Sequence, residues 1–454
     1  MSSPKDLPGP KPGILNIQLA REFQQDPLEF LSRVAREYPS DIIHWKFGPT
    51  YDMHLLVNPE LIRELIVKQW KSIKKWERMA KVSAKIAGPS NLLIAEGDDW
   101  KKTRKMTAPA FHTQRIKEYI DMMVAHTQKT IATWQDGDTI DIDEAMTTAA
   151  MGVIGEILFD IKNVEEDATE FADALKVLLD MFILETTSIM PLPDWVPSPR
   201  NLREDAAMKY ANEFILNIVK ERRASGEDRG DVMSALLQVV DEDDGDGFTD
   251  TEVMEQLYIL FTAGYETTAA LLTWTLYLLA KHPDVQQRLY EEISSTVQDA
   301  SPTLEELEAM SYTDSVLKES MRIYPPVWSL FVREAVEEVT VGEHTFPTGS
   351  LFFVSPWVTH HDPNYWESPQ TFDPHRFEGD WKDQRPTYSY MPFGGGPRVC
   401  IGSHLAEMEA EVILATLVKK FSFELATLND NVEIHTTVSI RPKDGMRLKI
   451  RARD

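Results

Sequence analysis

A mainly α-helical protein with a small β region, an α+β fold, is what this sequence predicts, and three observations carry that prediction. From Pro27 to about Tyr324 the apolar residues recur mostly at helical spacing. Alternating, strand-like patterning is confined to residues of about 42–57, 339–355 and 432–451, near the two chain ends. Hydrophobic residues at 43% and charged residues at 26% allow a sizeable buried core and exclude disordered, collagenous and disulfide-framework classes. Because strands so far apart need one another as partners, residues 1–454 read as a single interwoven domain without internal repeats.

Taken in order, the opening MSSPKDLPGPKPG holds four prolines and no apolar run, so it predicts neither a secretory signal nor an anchor. Cys400 is the one cysteine, which rules out an intramolecular disulfide and favours a cytoplasmic protein. Ile42 to Val57 predicts two strands around Gly48-Pro49. The run Asp241 to Glu252 has seven acids in twelve residues and imitates a calcium loop from Glu242 through Asp244, Asp246 and Gly247. The imitation fails at Val253, where a bidentate glutamate is required, so a solvated loop is expected.

Tyr258 to Ala280 is long enough to cross a bilayer and carries only Glu266 as a charge. A mid-helix carboxylate is costly in lipid, and both ends are punctuated: Thr249 with Glu252 forms a capping box, and His282-Pro283 is a stop. The expectation is therefore a core helix of roughly 30 residues and no transmembrane segment. Further on, Val339 to Ser355, with turns at Gly342 and Pro347, and Val432 to Arg451, with Pro442-Lys-Asp-Gly445, predict hairpins.

Lys plus Arg number 47 against 73 Asp plus Glu, a net charge of −26, so nucleic acid and anionic lipid are excluded as general partners. Against that background Asp98 to Lys117 stands out, with six Lys or Arg and two Asp.

The most specific segment is Phe393-Gly-Gly-Gly-Pro-Arg-Val-Cys-Ile-Gly402. Three glycines and a proline enforce an irregular, closely approached turn, and a helical pattern begins at about His404. Cys400 thus sits near a helix N-terminus, where peptide N–H groups favour the thiolate that a soft metal needs. A cysteine nucleophile with His404 as base is a competing reading. It leaves Arg398, Arg322 and Thr267 unused and offers no group to orient the histidine.

This segment resembles the cytochrome P-450 superfamily, the haem-thiolate monooxygenases, whose ligand loop F-x-x-G-x-R-x-C-x-G is met at Phe393, Gly396, Arg398, Cys400 and Gly402. The resemblance implies a triangular helix-rich body with haem b between the long central helix and the cysteine-loop helix. In it Cys400 is the iron ligand and Arg398 pairs with a propionate. Trp100-Lys-Lys-Thr-Arg104 is similar to the family's W-x-x-x-R helix, which implies that Trp100 and Arg104 face the other propionate.

Ala263-Gly-Tyr-Glu-Thr-Thr268 looks like the oxygen-activation motif. Gly264 would let a flat ligand approach beside Ala263, and Glu266 and Thr267 would be the acid and the alcohol that deliver protons, with Thr267 able to turn its hydroxyl from the backbone. Thr268 is expected to point elsewhere. Glu319 and Arg322, three apart on a helix, resemble the family's E-x-x-R pair, with Arg376 of Phe372-Asp-Pro-His-Arg-Phe377 as the third member of a structural network. His375 departs from the glutamate common there.

By resemblance the substrate pocket is lined by Leu92, Leu93, Ile94, Ala263, Val327, Trp328, Thr437 and Val438, which implies a small hydrophobic substrate. Pro49 to Asp52 offers no arginine for a carboxylate, leaving fatty acid, terpenoid and steroid open. The implied reaction inserts one oxygen atom from O2 with electrons from NAD(P)H, delivered by a ferredoxin or flavodoxin with its reductase to a monomer. The alternative is a haem-binding sensor without turnover, against which the intact acid-alcohol pair argues. Lys101, Lys102 and Lys105 beside Arg104 would then steer the acidic partner.

Overall fold

The computed structural model describes residues 7–11, 13, 16–111, 117–161, 169–188, 193, 195–241, 245–427 and 432–453. Glu242, Asp243 and Asp244 of the calcium-like run, and residues 112–116 of the basic segment, lie outside them.

The central element is the helix Asp250–Lys281, 32 residues long. Thr249 and Glu252 form the expected reciprocal cap, and the helix stops before Pro283, whose ring cannot continue the ladder. Its sequence is apolar nearly all round because it is packed nearly all round. The helices Ile142–Phe159, Pro199–Ser225 and Ser311–Ile323 lie against it, as does the cysteine-loop helix Ser403–Lys420. Trp274, fully buried, stacks on Tyr324 at 4.1 Å and donates its indole N–H to the Ile440 carbonyl at 2.9 Å. No helix among the described residues is long and apolar enough to cross a membrane.

The β region is small, as expected, but two pairings differ from the hairpins that local turns predict. Val339–Val341 and His344–Phe346 do form a hairpin. The following strand, Leu351–Val354, instead runs parallel to Tyr51–Leu56 and antiparallel to Arg333–Ala335. All four of its residues are buried, so it needs neighbours on both edges and cover on both faces, which a two-stranded ribbon cannot supply. The resulting five-stranded sheet runs Ile42–Phe47, Tyr51–Leu56, Leu351–Val354, Arg333–Ala335, Ile73–Lys75. In the tail, Ile434–Thr436 pairs with Ile440–Pro442, whereas Arg447–Ala452 leaves to join Phe421–Leu425 and Thr139–Asp141, burying Leu448 and Ile450.

His54, in the second strand of the sheet, is 2% exposed, lies 3.0 Å from the Leu351 carbonyl through Nδ1, and is held down to about 4 by burial. A histidine depressed in the folded state contributes stability above its unfolded value of about 6.5 and loses it as pH falls toward the folded value. Over that window the loss from His54 alone should approach about 3 kcal/mol. Urea midpoints measured at pH 7.5 and 4.5 should therefore separate, and His54→Gln, which keeps a donor but does not titrate, should bring them closer.

Candidate active site

Between the Asp250–Lys281 helix and the cysteine loop lies a cavity of about 300 Å³. One wall is the helix, through Ala263, Gly264, Thr267 and Thr268; the facing wall is the loop, through Phe393, Arg398, Cys400 and Gly402. Leu93 and Val327 contribute apolar surface, and among the described residues no histidine lines the cavity.

The loop has its irregular shape for steric reasons. Gly396 has φ +64°, and a Cβ there would meet the Ile66 carbonyl oxygen at 2.5 Å, so no side chain fits. The Cys400 N–H donates to the Phe393 carbonyl at 3.0 Å, which closes the turn under the sulfur. Cys400 is exposed to the cavity rather than to bulk solvent. Burial pushes its thiol up, and the Gly402 N–H and the Arg104 charge only partly offset this. The lowering expected from the helix N-terminus is thus outweighed in the protein alone, because the loop removes water from the sulfur.

On the helix wall the acid and the alcohol of the motif are separated. The Thr267 hydroxyl faces the cavity but donates back to the Ala263 carbonyl at 2.8 Å. Glu266, one position earlier, is turned by about 100° and buried on another face, where Oε1 accepts from the Ser439 hydroxyl at 2.6 Å. Thr268 does not point elsewhere: it lines the cavity and donates to Glu409 Oε2 at 3.4 Å. The space left by Gly264 goes to a neighbouring helix, since a Cβ there would meet Ile154 at 2.8 Å.

Trp100 and Arg104 are not among the cavity-lining residues. Trp100 is buried edge-on against Trp70, which does line the cavity, with the Arg398 guanidinium 4.3 Å from its ring. Arg104 donates to the Val399 carbonyl at 2.9 Å, beside the cysteine. Arg398 donates to the Ala95 carbonyl at 2.7 Å and pairs with Glu96.

Sequence reasoning missed the partners of Arg398. Lys75 and Arg333, paired directly across two strands, also line this end of the cavity. Burial and then the Arg398 charge pull Arg333 down to about 10, and burial with both arginines drives Lys75 well below its usual value. Three cations share Glu96 there. A ligand with two carboxylates at one edge and a flat apolar body would relieve that excess, so the residues fit haem and its two propionates. Glu409 was missed as well. Burial pushes its carboxyl up to about 8, and Oε1 has no hydrogen-bond partner among the described residues.

Glu319 and Arg322 are fully buried and joined by two hydrogen bonds of 2.7 and 2.8 Å, with Arg376 Nε 3.4 Å from Glu319. His375, by contrast, is exposed and bonded to Glu378. Of the remaining pocket residues, Trp328, Thr437 and Val438 line a second, smaller cavity, and Leu92 and Ile94 line neither.

The sequence model of the family described as Cytochrome P450 matches residues 4–450. The chain belongs to the cytochrome P450 family. It is 32% identical over 395 residues to a cyclooctat-9-en-7-ol 5-monooxygenase of Streptomyces melanosporofaciens, covering 87% of this chain and 84% of that one. With a pentalenene oxygenase of Streptomyces avermitilis it shares 28% over 457 residues, 100% and 99% of the two chains. This chain is accordingly a cytochrome P450 monooxygenase, with a helix-rich fold, haem and O2 chemistry, a redox partner and a hydrophobic substrate.

Proposed function

We propose that this P450 is a cytoplasmic monomer, folded as one domain, that hydroxylates a terpenoid or steroid-like hydrocarbon. It would do so with haem b and with electrons passed from NAD(P)H through a ferredoxin or flavodoxin and its reductase. The observation that carries the reading is the opposition of Cys400 to Thr267 across one apolar cavity with a cationic end. Haem, when bound, supplies the reductive activation of dioxygen.

The chain's residues supply the rest. Cys400 offers a soft anionic donor through Sγ. Lys75, Arg333 and Arg398 would hold the propionates, with Trp100 stacked behind Arg398 and Arg104 bracing the cysteine loop. The Glu319–Arg322–Arg376 network would fix that loop from behind. Thr267 holds a proton at Oγ1 on the cavity wall, and a hydroxyl released from the Ala263 carbonyl can pass it on. Glu266, kept by Ser439, would replenish it. The apolar lining, with Leu93, Ala263 and Val327, excludes competing water.

A fatty acid is less well served. The ammonium of the first hairpin is committed, since Lys46 donates to Asp52 at 2.7 Å, and His44 lies 2.8 Å from the same carboxylate. The names of the two relatives, moreover, denote hydrocarbon skeletons without a carboxylate.

Incubation with NADPH, ferredoxin, its reductase and oxygen-18 gas should put one labelled atom into a terpenoid substrate. In Thr267→Ala, haem and substrate binding should persist while product per NADPH falls several-fold and peroxide rises. Unlabelled product would overturn the reaction, and unchanged coupling would overturn the role of Thr267.

The basic segment carries a separate expectation. Lys101 pairs with Asp98 at 2.6 Å, and Lys102 and Lys105 lie 3.9 and 3.6 Å from Asp241, on the cysteine side next to Arg104. Reduction by an acidic partner should slow as salt rises, and slow further in Lys101→Glu with Lys105→Glu, without change in substrate affinity. Stopped-flow rates that ignore both changes would place the partner elsewhere.

A further inference from the structure

Residues 88–96 join the helix Glu77–Ala87 to the helix Gly97–Thr107 and form no helix or strand of their own. Leu93 and Glu96 of this segment line the larger cavity. The segment is tied at both ends, and to opposite walls.

At one end the tie is to the central helix, about two turns before Ala263. Gln256 is fully buried and uses both ends of its amide on the segment: the Leu92 N–H donates to its Oε1 at 2.9 Å, and its Nε2 donates to the Ser90 carbonyl at 2.8 Å. Beside it, the Ser90 N–H donates to Glu255 Oε2 at 2.7 Å. Gly88 lets the carboxylate come this close, since its φ is +83° and a Cβ there would collide with the Glu255 carboxyl. At the other end the Ala95 carbonyl and Glu96 hold Arg398 of the cysteine loop, and Glu96 Oε1 also accepts from the Lys75 N–H at 2.9 Å.

Between the two ties, the fully buried Asn91 makes the segment one unit. Its Nδ2 donates to the Gly88 carbonyl at 2.6 Å, its Oδ1 accepts from the Leu93 N–H at 3.1 Å, and its own carbonyl accepts from the Ala95 N–H at 3.0 Å. The tie to the helix consists of hydrogen bonds, each of small net worth because water can replace it. Such a tie can be released locally, without unfolding the helix that carries it.

We propose that residues 88–96 are a strap that retains the haem between the two walls, and that Glu255 and Gln256 are the positioning residues that latch it. Neither lines the cavity, so both act through the segment they hold. The proposal rests on the larger cavity being the haem site, and assigns to that site the residues that govern how fast the cofactor leaves.

The test uses the haem-loaded full chain and reads transfer of haem to excess apomyoglobin, a rate set by haem loss rather than by turnover. Gln256→Met, which keeps the side chain's length but neither hydrogen bond, should speed transfer by about tenfold, the worth of two neutral bonds. Glu255→Ala should speed it several-fold, and Glu255→Gln, which still offers Ser90 an acceptor, should restore the wild-type rate. Leu448→Ala, fully buried in the tail sheet, should lower the urea midpoint without speeding transfer, which separates a latch from general loss of stability. In the wild type itself, hydrogen exchange resolved to single amides should show Ser90 and Leu92 exchanging faster than Leu257 to Phe261 of the central helix.

Transfer rates that ignore both Gln256→Met and Glu255→Ala, or that rise as much in Leu448→Ala, overturn the proposal. Exchange of Ser90 and Leu92 only in step with the central helix overturns it too, and that measurement needs no variant to fold. Failure of the wild type to take up haem would instead overturn the haem reading.

Discussion

Cys400→Ala should abolish the red-shifted Soret band of the ferrous carbon monoxide complex and reduce oxygenation by on the order of a hundredfold or more. The reason is the scarcity of substitutes. Cys400 is the only cysteine, and among the described residues no histidine lines the cavity and no group of three or more His, Cys, Asp or Glu can hold a metal. Burial already disfavours the free thiolate, so its formation depends on the cation it meets. Spectra of the reduced, carbon monoxide-treated protein decide the matter, and an unchanged band in the variant sinks the ligand assignment.

Glu319→Ala should destabilise the protein by about 3 to 5 kcal/mol, the usual cost of leaving one member of a buried ion pair alone. Arg322 would keep its bonds to the carbonyls of His360, Pro369 and Thr371, at 3.0, 2.7 and 3.2 Å, but no longer have its bidentate anion. The Asp373 N–H, 2.9 Å from Glu319, would lose its acceptor and Arg376 its counter-ion. Glu319→Gln, which preserves shape and one acceptor, should fall between. Against a total of about 5 to 15 kcal/mol, the alanine variant should accumulate poorly and unfold at markedly lower urea. A urea midpoint equal to that of the wild type would show that the network holds nothing in place.

Both sites are readable from short spans of sequence, because their geometry is set locally. Glycines within four residues of Cys400 shape its loop, and one helical turn brings Glu319 to Arg322. The same holds for the long helix, whose capping box and proline stop need no distant partner.

What the residues determined by themselves is therefore the family, the helix-rich class, the cysteine loop and the reaction chemistry it belongs to. Tertiary structure alone decided which faces meet. A helix turns about 100° per residue, so adjacent Glu266, Thr267 and Thr268 take different directions, and only packing against Ile154 and Ser439 selects which of them see the cavity. Lys75 and Arg333 lie in three-residue strands with no pattern of their own, and their charges converge only because one sheet register pairs them across the chain. The smaller cavity beside Trp328 likewise draws its walls from segments hundreds of residues apart, which only the folded chain brings together.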